Sequence, residues 1–433
     1  MIGNLRRGIA HIGLLALAPI CGSGLALGAC LDSTASPSPG ALDASADARV
    51  SDGSSAGPDG ADVSSPGTEG GVADAGPDGE TGPVHLVYVV GTERDLLPDG
   101  GGPPSGVFGF TVDTKSGAVA PFDTDAITPG FQPYVAAGGG PAAAAATPDG
   151  KFVYVANSSS VDGSVSAFAV DATTGALTPI GKYAAALNGA SPYALITDLT
   201  GKHLYVTRSS SASVVIFDIA TDGSLTPQPT QAQTLLQPRG MALSLSGDFL
   251  FVANEAADST SSFKVDMATG ALSNRQSVST ASTPIGIFCH PTKKVVYTLA
   301  ANSFVVYAHA YDATGALTPL GSQPTGNSPY TGTVDPSGAW LYVANSNDAT
   351  MSAYPLDPTT GALGAPVVSN LGVNASGGKG VTVDPGGKLL IVGGAGTPLL
   401  STLSIGDGGA LTRIPSSAPV GTAGFSNPLV IVR

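Results

Sequence analysis

The sequence predicts an all-β fold: a seven-bladed β-propeller over residues 84–433, closed by strands from both ends of the domain and preceded by a disordered tether. Three observations carry this. A strand-rich unit recurs at intervals of 45 to 58 residues, each copy holds a glycine-centred turn, and the two ends of the repeat array are complementary part-units. Such regularity is the mark of repeat architecture. Four short strands per unit of this length is the pattern of a propeller blade.

The clearest copy runs through Phe-Val-Tyr-Val-Ala-Asn157, then Val165-Ser-Ala-Phe-Ala-Val-Asp171, then Thr174-Gly-Ala-Leu-Thr-Pro179. Phe251-Val-Ala-Asn254 with Thr269-Gly-Ala-Leu272, and Tyr342-Val-Ala-Asn345 with Thr360-Gly-Ala-Leu363, repeat the order. The turn glycines fall at Gly117, Gly175, Gly223, Gly270, Gly315, Gly361 and Gly409. Alternation of apolar and small polar residues lays one face of each strand against a neighbouring blade. Asp-x-x-Thr-Gly supplies a capping side chain and a residue that tolerates positive φ. The first copy begins at Leu86-Val-Tyr-Val89, which aligns with a second strand, and the array ends on Asn427-Pro-Leu-Val-Ile-Val432, which aligns with a first. The C-terminus is therefore expected to complete the blade that the N-terminal strand begins, leaving no open sheet edge.

Ahead of the repeats, residues 1–29 read as an export signal. Arg6 and Arg7 precede an apolar stretch from Ile9 to Ile20, and Leu27-Gly28-Ala29-Cys30 matches a bacterial lipobox, with Cys30 the lipidated residue. An ordinary signal with a coincidental cysteine is the alternative. Cys21 fits the tetrad poorly, Pro19 and several glycines interrupt any membrane span, and the twin arginines lack the rest of a Tat motif. Residues 30–83 are a Ser/Ala/Gly/Pro/Asp linker whose acids, Asp43, Asp59 and Glu69 among them, face one base, Arg49. Such a tract cannot bury enough surface to order itself, and its self-repulsion extends it. The expected location is exported and membrane-anchored, at the outer membrane or the cell surface and periplasm, since Leu31 is not the Asp that commonly retains lipoproteins at the inner membrane.

Of the 433 residues, 12% are charged, and the net charge of −14 disfavours a nucleic-acid partner, because phosphate binding needs clustered Lys and Arg. Once Cys30 is lipidated and the signal removed, Cys289 is the one thiol left, so neither a disulfide framework nor a cysteine metal site is expected. The histidines show no ligand spacing, and no metal or other cofactor is predicted.

The repeats resemble the lactonase-type propellers, the 6-phosphogluconolactonase-like family that includes carboxy-cis,cis-muconate cyclase. Tyr-Val-Ala-Asn endings and the hairpin at 170–179 carry the likeness, which spans residues 84–433. Tyr-Val-Ala-Asn also resembles the YVTN propellers of surface-layer proteins. The family's His-rich strand start and the Asp-Leu-Gly-x-Asp-Arg strand ending after it correspond here to Ser191-Pro-Tyr-Ala-Leu and Tyr205-Val-Thr-Arg-Ser209, where the histidines and the acidic loop are absent. The family's Gly-Pro-Arg and Val-Asn-Glu segments have counterparts in Gln237-Pro238-Arg239 and Val252-Ala253-Asn254-Glu255. The resemblance therefore carries over at Arg239 and Glu255 and fails at the histidine.

Aligning the copies puts Ala142, Tyr193, Arg239, Ile285, Tyr330 and Lys379 in one column, where first strands begin and ring one mouth of the channel. Tyr193, Arg239, Tyr330 and Lys379 are the expected ligand-binding set, suited to an anionic or polyhydroxylated ligand; lining a wet channel is the plainer role. Glu255 and Arg239 are the candidate catalytic pair, the carboxylate activating water and the guanidinium stabilising an oxyanion; a simple salt bridge is the competing reading. A second column, Thr147, Asp198, Ser244, His290, Asp335 and Asp384, consists of turn-capping types, so His290 is read as structural. Cys289 and Trp340 are read as packing residues.

Three functions stay open: a lipid-anchored binding propeller, a lactone hydrolase, and a surface-layer-like structural protein. The partners expected are a small lactone or sugar acid, or another protein, on a monomer.

Overall fold

Four-residue to nine-residue strands dominate the computed structural model, which describes residues 84–92, 105–125, 134–159, 163–184, 191–370, 379–394, 400–415 and 428–431. The signal, Cys30 and the linker lie outside the described residues. Seven antiparallel sheets stand in a ring, one per predicted blade. Blade 2, for example, runs outward through Pro141–Ala146, Phe152–Asn157, Ser164–Val170 and Leu177–Tyr183. Blades 3 to 7 start with Pro192–Thr197, Pro238–Leu243, Pro284–Cys289, Pro329–Val334 and Gly380–Val383. These first strands touch their neighbours in a closed circle around the channel.

Closure follows the predicted route. In blade 1 the strand Val84–Thr92 pairs with Ser105–Asp113 on one side and with Pro428–Ile431 on the other, Tyr88 facing Leu429. The C-terminal strand is thus the inner strand of the first blade, and the ring has no open seam.

The core is divided between the blades. Seven apolar clusters occur among the described residues, one at each blade–blade interface. Val165 and Phe217, for instance, meet between blades 2 and 3. Repetition of this interface around the ring is what makes a blade stable only in company.

The tyrosine of the Tyr-Val-Ala-Asn strand has a second role that packing alone does not explain. In blades 1, 2 and 5 its hydroxyl crosses to the next blade and donates to the carbonyl of that blade's turn glycine. Tyr88 reaches Gly175 at 2.5 Å, Tyr154 reaches Gly223 at 3.0 Å and Tyr297 reaches Gly361 at 2.6 Å. Blades 4 and 7 carry Phe251 and Ile391 at this position. There the residue directly opposite on the third strand takes over: Ser262, paired with Phe251, donates to Gly315 at 2.6 Å. Thr402, paired with Ile391, donates to Gly117 at 2.7 Å. The asparagine that ends the same strand ties the blade internally, Asn157 bonding Ser164 and Ser166, and Asn345 bonding Thr350 and Ser352.

The turn column behaves as its residue types predict. Thr147 Oγ1 accepts from Phe152 N at 3.1 Å, Asp198 Oδ1 from Lys202 N at 2.8 Å and Asp335 Oδ1 from Trp340 N at 2.8 Å. His290 does the same with its ring: Nδ1 accepts from the Thr292 and Lys293 amides, both at 3.1 Å. Its Nε2–H then donates to the Gly338 carbonyl at 3.1 Å. Burial pushes the His290 pKa below its ordinary value, which keeps the ring neutral for this job. Cys289 is half-buried beside the cluster of Phe249 and Phe251, its thiol pushed up by burial. Trp340 packs against the cluster between blades 6 and 7.

Candidate functional site

The channel mouth is built by a backbone irregularity repeated from blade to blade. In blades 2 to 6 the first strand opens with a proline and carries one extra residue just after it, relative to its partner strand. The residue in front of each proline lies in the left-handed region: Gly140, Ser191, Gln237, Thr283 and Ser328. Its carbonyl is held by the amide just past the second strand, as Gln237 O is by Glu255 N at 2.9 Å and Ser328 O by Ser346 N at 2.9 Å. A bulge of this kind re-aims one side chain relative to the pleat. The sequence column sits on it, with Ala142, Tyr193, Arg239, Ile285 and Tyr330 each immediately following the proline.

Four members of that column come together with Glu255. The Glu255 carboxylate accepts a hydrogen bond from Arg239 Nε, an ion pair whose two side chains are 25% and 22% exposed. The Arg239 guanidinium lies over the Tyr193 ring, 4.2 Å from its centroid. The Tyr193 and Tyr330 hydroxyls hydrogen-bond to each other. Those residues belong to blades 3 and 6, on opposite sides of the ring, so their bond bridges the channel. On the far side Lys379 Nζ lies 3.7 Å from the Tyr330 ring centroid. Two cation–π contacts thus flank a tyrosine bridge. Ala142 and Ile285, the apolar members of the column, make no part of this belt.

Burial, and after it the neighbouring Tyr330 hydroxyl, drives the Tyr193 pKa upward, so its hydroxyl stays protonated. Desolvation lowers the pKa of Lys379. Beneath the bridge lies a cavity of about 160 Å³, lined by Tyr193, Tyr330 and Lys379 together with residues farther along the first strands of blades 2 to 6. Arg239 and Glu255 stand outside its lining. Among the described residues the Arg239 side chain makes no hydrogen bond beyond Nε, so its two Nη groups remain as donors, and one Glu255 oxygen remains as an acceptor. Among the described residues no group of three or more His, Cys, Asp or Glu side chains could hold a metal.

The family follows from the sequence taken over most of the propeller. The model of the seven-bladed β-propeller lactonases matches residues 105–234, 197–289 and 276–424. This chain belongs to the lactonase family of seven-bladed propellers. Among individual lactonase-family relatives, the 6-phosphogluconolactonase of Pectobacterium carotovorum is 29% identical over 140 residues, which are 31% of this chain and 42% of that protein. That of Photorhabdus laumondii is 35% identical over 72 residues, 17% of this chain and 22% of that protein. The match thus spans less than half the length of these relatives. The solved structure of the Pseudomonas aeruginosa periplasmic gluconolactonase is 18% identical, covering 81% of this chain and all of that one at a TM-score of 0.64. A protein from Lactobacillus plantarum is also 18% identical, with 80% and 99% covered and the same TM-score. At these identities the likeness establishes the lactonase-family fold.

One contributor to the mouth escapes a reading of the column. Thr207 stands where the repeat has alanine, as in Ala156, Ala253 and Ala344. Fully buried, it donates from Oγ1 to the Arg239 carbonyl at 3.1 Å and accepts from Ala194 N at 2.9 Å. It therefore pins the backbone of Arg239 in blade 4 to the strand carrying Tyr193 in blade 3. The departure from the Tyr-Val-Ala-Asn pattern is the signal that marks it.

Proposed function

We propose that this protein opens lactones at the channel mouth, with Glu255 as the base and Arg239 as the oxyanion donor. The observation that carries the reading is the belt from Glu255 through Arg239, Tyr193 and Tyr330 to Lys379, with uncommitted donors and an acceptor at its Arg239–Glu255 end. Membership of the lactonase family supports the substrate class. In this scheme Glu255 takes a proton from water as the water oxygen adds to the lactone carbonyl. The Nη groups of Arg239 stabilise the charge that builds on the carbonyl oxygen. The ring C–O bond then breaks, the ring oxygen recovers the proton, and a hydroxy acid leaves. The Tyr193 hydroxyl and Lys379 orient a hydroxylated or anionic substrate.

The purified protein should open 6-phosphogluconolactone or a simple δ-lactone faster than buffer does. Loss of a single oxyanion donor typically costs about 10²–10³-fold in rate, so Arg239→Ala should remove most of the activity, and Glu255→Ala should suppress it too. Both variants should stay folded, because a partly exposed ion pair contributes at most about 1 kcal/mol. A wild type inert towards several lactones would sink the hydrolytic reading. It would favour capture of a sugar acid or a protein partner without turnover. That second reading draws on the mutual pairing of Arg239 and Glu255 and on Ser191-Pro-Tyr-Ala-Leu, which lacks the family's histidines.

Export and lipidation belong to the same proposal. Leu27-Gly28-Ala29-Cys30 places the thiol for a lipid, and the acidic tract after it would hold the propeller off the membrane. Cys30→Ser should move the protein out of the membrane fraction; a variant that still pellets disproves the anchor.

A further inference from the structure

The cavity under the tyrosine bridge excludes Arg239 and Glu255 from its lining, although Tyr193 and Lys379 border both it and the proposed lactone site. Its volume of about 160 Å³ is close to that of apolar cavities that take up a single benzene ring. Its wall includes Leu195, Met241, Ile287 and Phe288, and Lys379 is its one charged lining side chain among the described residues. The wall is held close by glycine: a Cβ on Gly240 would sit 2.5 Å from the Ile285 carbonyl. Above it, the Tyr193 and Tyr330 hydroxyls supply polar groups at the same end as Lys379.

We propose that this cavity is a second ligand subsite, taking a single-ring apolar group that carries one carboxylate. The ring lies among Met241, Ile287 and Phe288, and the carboxylate meets Lys379 and the tyrosine hydroxyls at the upper end. An apolar ring gains from leaving water against Met241, Ile287 and Phe288. A single half-buried cation matches a carboxylate better than a dianionic phosphate, whose second charge would stay uncompensated. The low pKa of Lys379 rises again when an anion approaches. The subsite shares Tyr193 and Lys379 with the proposed lactone site but does not require turnover at Arg239 and Glu255.

Calorimetric titration of the full chain with benzoate tests it. Benzoate should bind saturably at one site per chain and perturb the tyrosine ultraviolet spectrum. Acetate, which has the charge without the ring, and benzyl alcohol, which has the ring without the charge, should each bind about tenfold more weakly or worse. Inorganic phosphate should not compete. Met241→Trp should abolish benzoate binding by filling the cavity. Lys379→Gln should weaken it about tenfold and serves if the tryptophan variant does not fold. Absence of saturable benzoate binding, acetate binding as tightly, or binding indifferent to both substitutions would each overturn the proposal. An inactive wild type that binds benzoate would refute hydrolysis alone, and an active enzyme that ignores benzoate would refute the subsite alone.

Discussion

Each blade has two ends, and they are built on opposite rules. At the turn end six residues of four kinds, Thr147, Asp198, Ser244, His290, Asp335 and Asp384, stand at one position, and the contacts described for them close the turn with side-chain bonds to backbone amides. Chemistry varies there while geometry is kept. At the mouth end the backbone is again the same in blades 2 to 6, a left-handed residue, a proline and a bulge, yet the side chain it presents changes from alanine to tyrosine, arginine and isoleucine. Non-glycine residues in the left-handed region cost roughly 1–3 kcal/mol each. Ser191, Gln237, Thr283 and Ser328 accept that cost, whereas blade 2, whose column residue is Ala142, has Gly140 there. One end fixes the fold with interchangeable caps. The other spends conformational strain on holding particular side chains over the channel.

This division predicts separable effects. The largest should come from Gly338→Ala. Gly338 has φ +74°, and a methyl group there would press into the His290 ring. Strain plus the clash should cost about 2 kcal/mol or more, read as a lower denaturation midpoint. Benzoate binding and lactone opening per folded molecule should not change. A folded Gly338→Ala protein with a silent mouth would show that the two ends are coupled, and the comparison would fail.

A smaller effect is expected at the tie between blades. Tyr297→Phe removes the 2.6 Å bond to the Gly361 carbonyl inside a fully buried site. A buried carbonyl left without its donor costs about 1–3 kcal/mol, so chemical denaturation should show a loss in that range. An unchanged midpoint would mean that the tyrosine contributes through packing only.

How far the sequence reached follows the same line. The turn glycines all take positive φ, where few other residues can replace them; the capping column was legible from its small set of side chains that cap a turn, and the closing strand from its alignment with a first strand. The column of Tyr193, Arg239, Tyr330 and Lys379 was legible as an alignment, and so was the placement of Glu255 at the same end as Arg239, since adjacent strands are antiparallel. The tyrosine bridge was not, because blades 3 and 6 are joined only by the curvature of the whole ring, which no local pattern encodes. The bulge was hidden as well, although Pro141, Pro192, Pro238, Pro284 and Pro329, each one residue ahead of the column, were a visible sign that the ladder starts irregularly there. Ser262 and Thr402 had a readable signal too: each lies opposite a strand position where Phe251 or Ile391 had displaced the tyrosine.

The smallest expected change is the sharpest test of that tie. Tyr342 occupies in blade 6 the position that Tyr297 occupies in blade 5, and both are fully buried. Their hydroxyls differ. That of Tyr297 reaches a turn glycine, whereas that of Tyr342 has no hydrogen-bond partner among the described residues, as is also true of Tyr205. A buried hydroxyl without a partner has lost its water and gained nothing in return, a penalty of roughly 1–3 kcal/mol. Tyr342→Phe keeps the ring and its packing between blades 6 and 7 and removes only that oxygen. The denaturation midpoint should therefore stay level or rise, where Tyr297→Phe lowers it. If Tyr342→Phe destabilised the protein as much as Tyr297→Phe, the hydroxyl of Tyr342 would have a partner in solution. Blade 6 would then be tied to blade 7 as blade 5 is tied to blade 6.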